Sequence, residues 1–156
     1  MAGLTKTYPI DTALQMEDAG AAITSTEVNS GGEIDLGAGV NGAASMIGAV
    51  VVQVSAIVVN DNDESYHIEL QGTNTTGFGT AADNVVLASL HLGAHEATGA
   101  TVGDTGTDTP TGVYYMPFTN DFAGTAYRYV RLKVTVGGST PSITYTAFLT
   151  QQRTMG

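Results

Sequence analysis

Within residues 127–136 the side chains alternate from Tyr129 onward: Val130, Leu132, Val134 and Val136 fall on one side, and Tyr129, Arg131, Lys133 and Thr135 on the other. Only a strand, whose successive side chains point to opposite faces, turns that spacing into one apolar and one polar surface. An apolar sheet face is stable only when a second layer covers it, so this segment demands a partner sheet. The same period recurs. Tyr66, Ile68 and Leu70 are predicted to point inward and His67, Glu69 and Gln71 outward. Val86, Ala88, Leu90 and Leu92 share one face of residues 84–92. Ile143, Tyr145, Ala147 and Leu149 share one side of residues 142–151, which are predicted to return on 127–136 as the second arm of a hairpin.

Residues 49–60 carry Val50, Val52, Val54, Ala56 and Val58 on one face and Val51, Gln53, Ser55, Ile57 and Val59 on the other, which predicts burial on most of both sides. Residues 25–36 read as a polar hairpin turning at 29–32. In 113–118, Pro117 argues for an edge strand. Residues 1–20 are the least strand-like, and residues 11–18 fit either a short helical turn or an extended arm. No stretch carries a convincing helical period. Residues 93–112 form a long loop almost without large apolar residues, and loops of that length are usually functional or mobile. With no linker or internal repeat, the 156 residues are expected to form one all-β domain, an antiparallel β-sandwich of jelly-roll type.

The absence of cysteine excludes disulfides and thiolate metal sites, and fits assembly inside a cell. The net charge is −10, and Lys6 is the only basic residue before Arg128. An acidic surface repels phosphate, which disfavours nucleic acid and anionic membranes. No apolar run reaches the roughly 18 residues of a membrane span. The first residues lack the apolar stretch of a secretory signal.

Chemistry is sparse. The histidines are His67, His91 and His95, and no Gly-x-Ser-x-Gly elbow is present. His91 and His95, with Glu96 beside them, have the spacing of a helical metal pair, but Leu90 and Leu92 put His91 on a strand and Gly93 puts His95 in a loop. Two solvated histidines at a strand end are therefore expected. Asp61, Asn62, Asp63 and Glu64 offer oxygens to a hard cation, yet the full calcium-loop signature is missing, and Asp and Asn favour tight turns. Residues 103–108 read as a mobile polar loop. Asn74-Thr75-Thr76 matches a glycosylation acceptor and is read as loop. No catalytic, cofactor-binding or metal-binding residue is assigned.

Residues 126–134, with Tyr127, Arg128, Tyr129, Arg131 and Lys133, then Gly137-Gly-Ser-Thr-Pro-Ser142 and Thr144-Tyr-Thr-Ala-Phe-Leu149, resemble the last hairpin of the jelly-roll cement (decoration) proteins of tailed bacteriophages. Residues 11–26, followed by Glu33-Ile-Asp-Leu-Gly37, are similar to the way those proteins begin, and the order of segments between also fits. The resemblance implies a non-enzymatic structural protein of the virion. It would be made in the host cytoplasm, sit on the outer capsid surface and clamp neighbouring subunits of the major capsid protein. It also implies a homo-oligomer, with a dimer the first choice and a trimer the second. Many modest contacts repeated by symmetry would hold the shell together. The first alternative is a carbohydrate-binding or phage-fibre module on the same sandwich; the second is a metal-dependent, cupin-like enzyme.

Two groups of residues are expected to make capsid or oligomer contacts. Leu4, Tyr8, Pro9 and Ile10 are apolar without a strand period, which suits an arm lying on the lattice or a cover for one open end of the sandwich. Tyr114, Tyr115, Tyr127 and Tyr129 are candidate aromatic anchors.

Overall fold

A computed structural model describes residues 14–28, 32–39, 42–79, 83–98 and 108–151. Strands β1 (Gln15–Asp18), β13 (Ile143–Gln151), β6 (Ile47–Ile57) and β9 (Gly112–Thr119) form a front sheet in the order β1-β13-β6-β9. In the back sheet, β12 (Tyr129–Gly137) is followed by β7 (Ser65–Thr73) and β8 (Val85–Gly93). The other border of β12 is lined by β2 (Glu27–Val28) and β3 (Ile34–Asp35). All pairings in both sheets are antiparallel. Two short hairpins, β4 (Ala38–Gly39) with β5 (Gly42–Ala43) and β10 (Asp121–Phe122) with β11 (Thr125–Ala126), lie outside the sheets. A single helical turn, α1 (His95–Thr98), follows β8. The chain is an all-β antiparallel sandwich.

One apolar layer fills the space between the sheets. Val50, Val52, Val54, Met116, Tyr145, Ala147 and Leu149 meet Tyr66, Ile68, Leu70, Leu90, Leu92, Val130, Leu132 and Val134 in one cluster. The inward residues predicted for 127–136 and 65–73 occupy it, except Val136, which is half-buried at its rim. Register carries the alternation across strands: Leu132 pairs Leu70, which pairs Ala88, and Val134 pairs Ile68, which pairs Leu90.

The connections differ from the expected hairpins. β12 and β13 lie in different sheets, so residues 138–142 form a crossing between layers. Gly138 makes it possible: its φ is +111°, and a Cβ there would lie 2.8 Å from Asp63 O and Glu64 Cα. Residues 25–36 are not a hairpin either. β2 pairs Lys133 and Val134 while β3 pairs Tyr129 and Val130, so both run the same way along one border of β12 as an interrupted edge strand.

Two irregularities change which residues face the core. Tyr145 pairs Val54 but Thr144 pairs Ala56, so Ser55 is an extra residue in β6. The bulge turns Ala56 to solvent and brings Ile57 against the core. The other face of β6 is not buried as predicted: Ile47, Gln53 and Ser55 are exposed, and Ala49 and Val51 are half-buried. In β8 the extra residue is Leu87, between pairs Leu70–Ala88 and Gln71–Val86. Leu87 packs inward over Gly72, where a Cβ would come within 2.7 Å of it, and Val86 is left 44% exposed.

Polar clasps close the two ends. At one end the buried Asn120 side chain accepts from Met46 N at 2.6 Å and donates to Ala44 O at 2.7 Å and Tyr127 O at 2.9 Å. It ties the entry to β6 to the link between β9 and β12. At the other end the Tyr66 hydroxyl accepts from Ser142 N at 2.8 Å and lies 2.8 Å from Val58 O as donor. Leu4, Tyr8, Pro9 and Ile10 lie outside the described residues, as do 99–107 of the long loop. The return of that loop is anchored, because Gly93 N donates to Thr109 Oγ1 at 2.9 Å and Thr109 N to Gly93 O at 3.0 Å.

Leu132 is fully buried, so Leu132→Ala is expected to lower unfolding free energy by about 2–5 kcal/mol, while Val86→Ala stays within about 0.5 kcal/mol. Asn120→Ala leaves three part-buried backbone groups without this partner and is expected to cost about 2–4 kcal/mol. Asn120→Asp should not rescue it, because a carboxylate oxygen would face Ala44 O and Tyr127 O. Denaturant titration of the four variants measures all of this.

Candidate functional site

The two outer faces of the sandwich differ sharply in charge. β6, β9 and β13 contain no Asp, Glu, Lys, Arg or His. The short border strand β1 of the front sheet carries Glu17 and Asp18, and the strands of the back sheet carry Glu27, Asp35, His67, Glu69, His91, Arg131 and Lys133. A chain of net charge −10 thus presents one sheet face on which three adjacent strands are uncharged.

Along β9 and the facing part of β6 that front face is also largely apolar. Its outward residues on β9 are Val113, Tyr115, Pro117 and Thr119, opposite Gln53, Val51, Ala49 and Ile47 of β6. Phe148 of β13 continues the row through Val51 to Tyr115. Ile47 is 60% exposed, Tyr115 56% and Val113 49%. Single exposed apolar residues are ordinary; several along one sheet face make it the candidate interaction surface.

The four tyrosines do not form one group. Tyr115 stands on the front face. Tyr114, one residue earlier, turns to the inner side of β9, packs on the core and donates its hydroxyl to Pro110 O at 2.6 Å. Tyr127 and Tyr129 belong to the other sheet and its approach, both half-buried. The Tyr127 Cβ lies against Gly72, and Tyr129 is stacked by the Arg128 guanidinium at 5.1 Å. Arg128 is fixed by a bidentate pair with Asp35 at 2.7 and 2.8 Å, which holds the Asp35 carboxyl down at about 2.

A polar ladder crosses the back face. Arg131 Nε donates to Gln71 Oε1 at 3.2 Å, and Gln71 Nε2 donates to Glu69 Oε2 at 3.1 Å. Glu69 Oε1 lies 3.6 Å from His67 Nδ1, and the His67 ring stacks on His91. Arg131 also covers Phe78, its guanidinium 4.1 Å from the ring centre. His91 is exposed on β8 as expected, but its neighbour is His67 across the strand pair. His95 opens α1, where its N–H donates to Asp108 Oδ1 at 3.0 Å.

The acidic turn is a structural clasp. The Asp63 carboxylate accepts from Ser139 Oγ at 2.6 Å, which lowers its pKa. Asp61 Oδ2 accepts from Thr140 Oγ1 at 2.6 Å. The fully buried Glu64 carboxylate accepts from Asp61 N at 3.2 and 3.3 Å. These bonds join the β6–β7 turn to the β12–β13 crossing. Asn74 plays a similar part, donating to Ala126 O at 3.0 Å and accepting from Arg128 N at 2.9 Å. Among the described residues, no three His, Asp or Glu side chains converge as a metal site.

Sequence reasoning missed the front face because it judged each strand by its inward residues. The signal was the lack of any charge in three separate segments. Their adjacency is a tertiary fact that the strand order supplies.

His67 gives the pH dependence. Burial, then the neighbouring His91, push its pKa below 6.5, against the opposing pull of Glu69. The unfolded chain therefore takes up this proton more readily than the folded one. Stability is expected to be full above the unfolded value and to fall as pH drops from 6.5 toward the folded value. The Asp35 contribution is lost only between the ordinary 3.8 and about 2, so the two windows do not overlap. Denaturation in a chelating buffer between about pH 7.5 and 5 should show this slope, and His67→Gln should flatten it.

No protein-family model matches the chain, and no curated protein sequence matches it.

Proposed function

We propose that this chain is a non-enzymatic capsid cement protein of jelly-roll type, which binds the outer surface of a tailed-phage capsid through the front face and fastens neighbouring major capsid subunits. The observation that carries the reading is the uncharged, apolar outer face of β13, β6 and β9, with Ile47, Val113 and Tyr115 exposed on it. The resemblance of residues 126–149 to the final strands of cement proteins supplies the partner.

Size favours attachment by many copies. Three strands about 4.8 Å apart and about seven residues at 3.3 Å each give a face of about 330 Å². Docking it would bury about 660 Å² counting both partners, below the roughly 1,200–2,000 Å² of a stable specific interface. One such contact is weak, whereas copies joined to one another and set on a repeating lattice gain from effective concentration. A homo-oligomer, with a dimer preferred over a trimer, belongs to this reading for that reason.

Co-sedimentation with DNA-free capsids of the parent virion tests it. The parent chain should sediment with the capsids. Tyr115→Asp and Val113→Asp, which put a charge on the docking face, should bind at least tenfold more weakly while shifting the melting temperature by no more than about 2 °C. A parent chain that stays in the supernatant, or a Tyr115→Asp chain that sediments as fully as the parent, overturns the proposal.

A further inference from the structure

The back face carries a group that the docking reading leaves unused. His67 and His91 are register partners on β7 and β8, their ring centres 3.8 Å apart and their planes 22° from parallel. Glu69, two residues along the same face, holds Oε1 3.6 Å from His67 Nδ1. A carboxylate there favours the tautomer with its proton on Nδ1, which leaves the lone pair on Nε2. That Nε2 atom is buried and has no hydrogen-bond partner. Buried polar atoms are nearly always satisfied, so an orphan acceptor at a surface strand pair asks for a ligand.

The geometry points to a two-imidazole site in which His67 Nε2 and a ring nitrogen of His91 bind one borderline divalent cation, such as Zn²⁺, Ni²⁺ or Cu²⁺, across the β7–β8 pair. Imidazole suits these ions, and hard cations prefer oxygen. Metal–nitrogen distances of about 2.0–2.1 Å require two nitrogens within about 4 Å of each other, and the two ring centres stand 3.8 Å apart. His91 is exposed, so its ring is free to turn until its lone pair converges on that of His67. Glu69 stands where carboxylates stand behind metal-binding histidines, against the ring nitrogen away from the metal. Its own orientation is set by Gln71, and that of Gln71 by Arg131.

The surroundings limit the site. Lys133 is the register partner of Glu69 and opposes an added cation, and the Glu69 charge offsets it. No third ligand converges among the described residues, so water fills the remaining positions. The bound ion would clip β8, the outermost strand of the back sheet, to β7. His95, displaced onto α1, takes no part.

Calorimetric titration of the chelator-stripped full chain with Zn²⁺ tests the site, with imidazole resonances followed by NMR. One equivalent should bind and shift the His67 and His91 signals. His67→Gln and His91→Gln should each weaken binding at least tenfold, and the exposed His91 can be replaced without disturbing the core. His95→Gln should change nothing, and excess Mg²⁺ should not displace Zn²⁺. No binding up to about 1 mM Zn²⁺, equal affinity in the His67→Gln/His91→Gln double variant, or displacement by Mg²⁺ overturns the proposal.

Discussion

The chain changes sheets at nearly every long connection, and the rest of the structure follows from that constraint. β6 and β7 lie in opposite layers, as do β8 and β9, β9 and β12, and β12 and β13; only β7–β8 is a hairpin between long neighbours. Each crossing carries backbone past the edge of the apolar layer, where its polar groups would go unpaired. Asn120 supplies partners at one end, and Tyr66, Asp61, Asp63 and Glu64 at the other. The apolar layer gives the two sheets a reason to stack. The clasps decide how the crossings run.

Sequence periodicity reveals the layer and hides the crossings for a physical reason. Alternation over residues 127–136 concerns one strand and its own two faces, so Leu132 and Val134 could be placed in the core from their spacing. Pairing depends on distant residues. Gly137-Gly-Ser-Thr-Pro141 is equally good chemistry for a tight hairpin and for an arch between sheets. What decides is Asp63 waiting to receive Ser139, 76 positions away. Bulges act the same way. One extra residue, Ser55 or Leu87, inverts the positions on one side of it relative to those on the other, so Ala56, after its bulge, and Val86, before its bulge, face away from the core although each segment is a strand as expected.

Charge shows how much of the candidate site was legible. The count of −10 was visible, and so was the late onset of basic residues. The more telling feature was local: none of β6, β9 and β13 holds a charge. A solvent-facing strand usually gains from Lys or Glu on its outer side, which keeps neighbouring molecules apart. Here three such strands stand side by side without one. The tyrosine pairs looked equivalent in sequence, yet alternation alone separates Tyr114, turned inward, from Tyr115, turned out.

The border strand β9 limits how a partner can engage this surface. Asn120 N donates to Met46 O, so the amides of alternate residues 118, 116 and 114 point toward β6, and those of 119, 117, 115 and 113 point away from the sheet. Position 117 is proline, which has no amide hydrogen to offer. A strand added along β9 would therefore meet a gap in the middle of its ladder. Strand addition at an open edge repeats indefinitely, because each added strand exposes a new edge. Contact through the side chains of a flat face ends when that face is covered. Pro117 thus disfavours open-ended strand addition along β9, while its own ring adds to the apolar outer face of the sheet. On the proposed cement reading, a protein that binds many equivalent positions on a lattice, and must not polymerise before it reaches them, would use that combination.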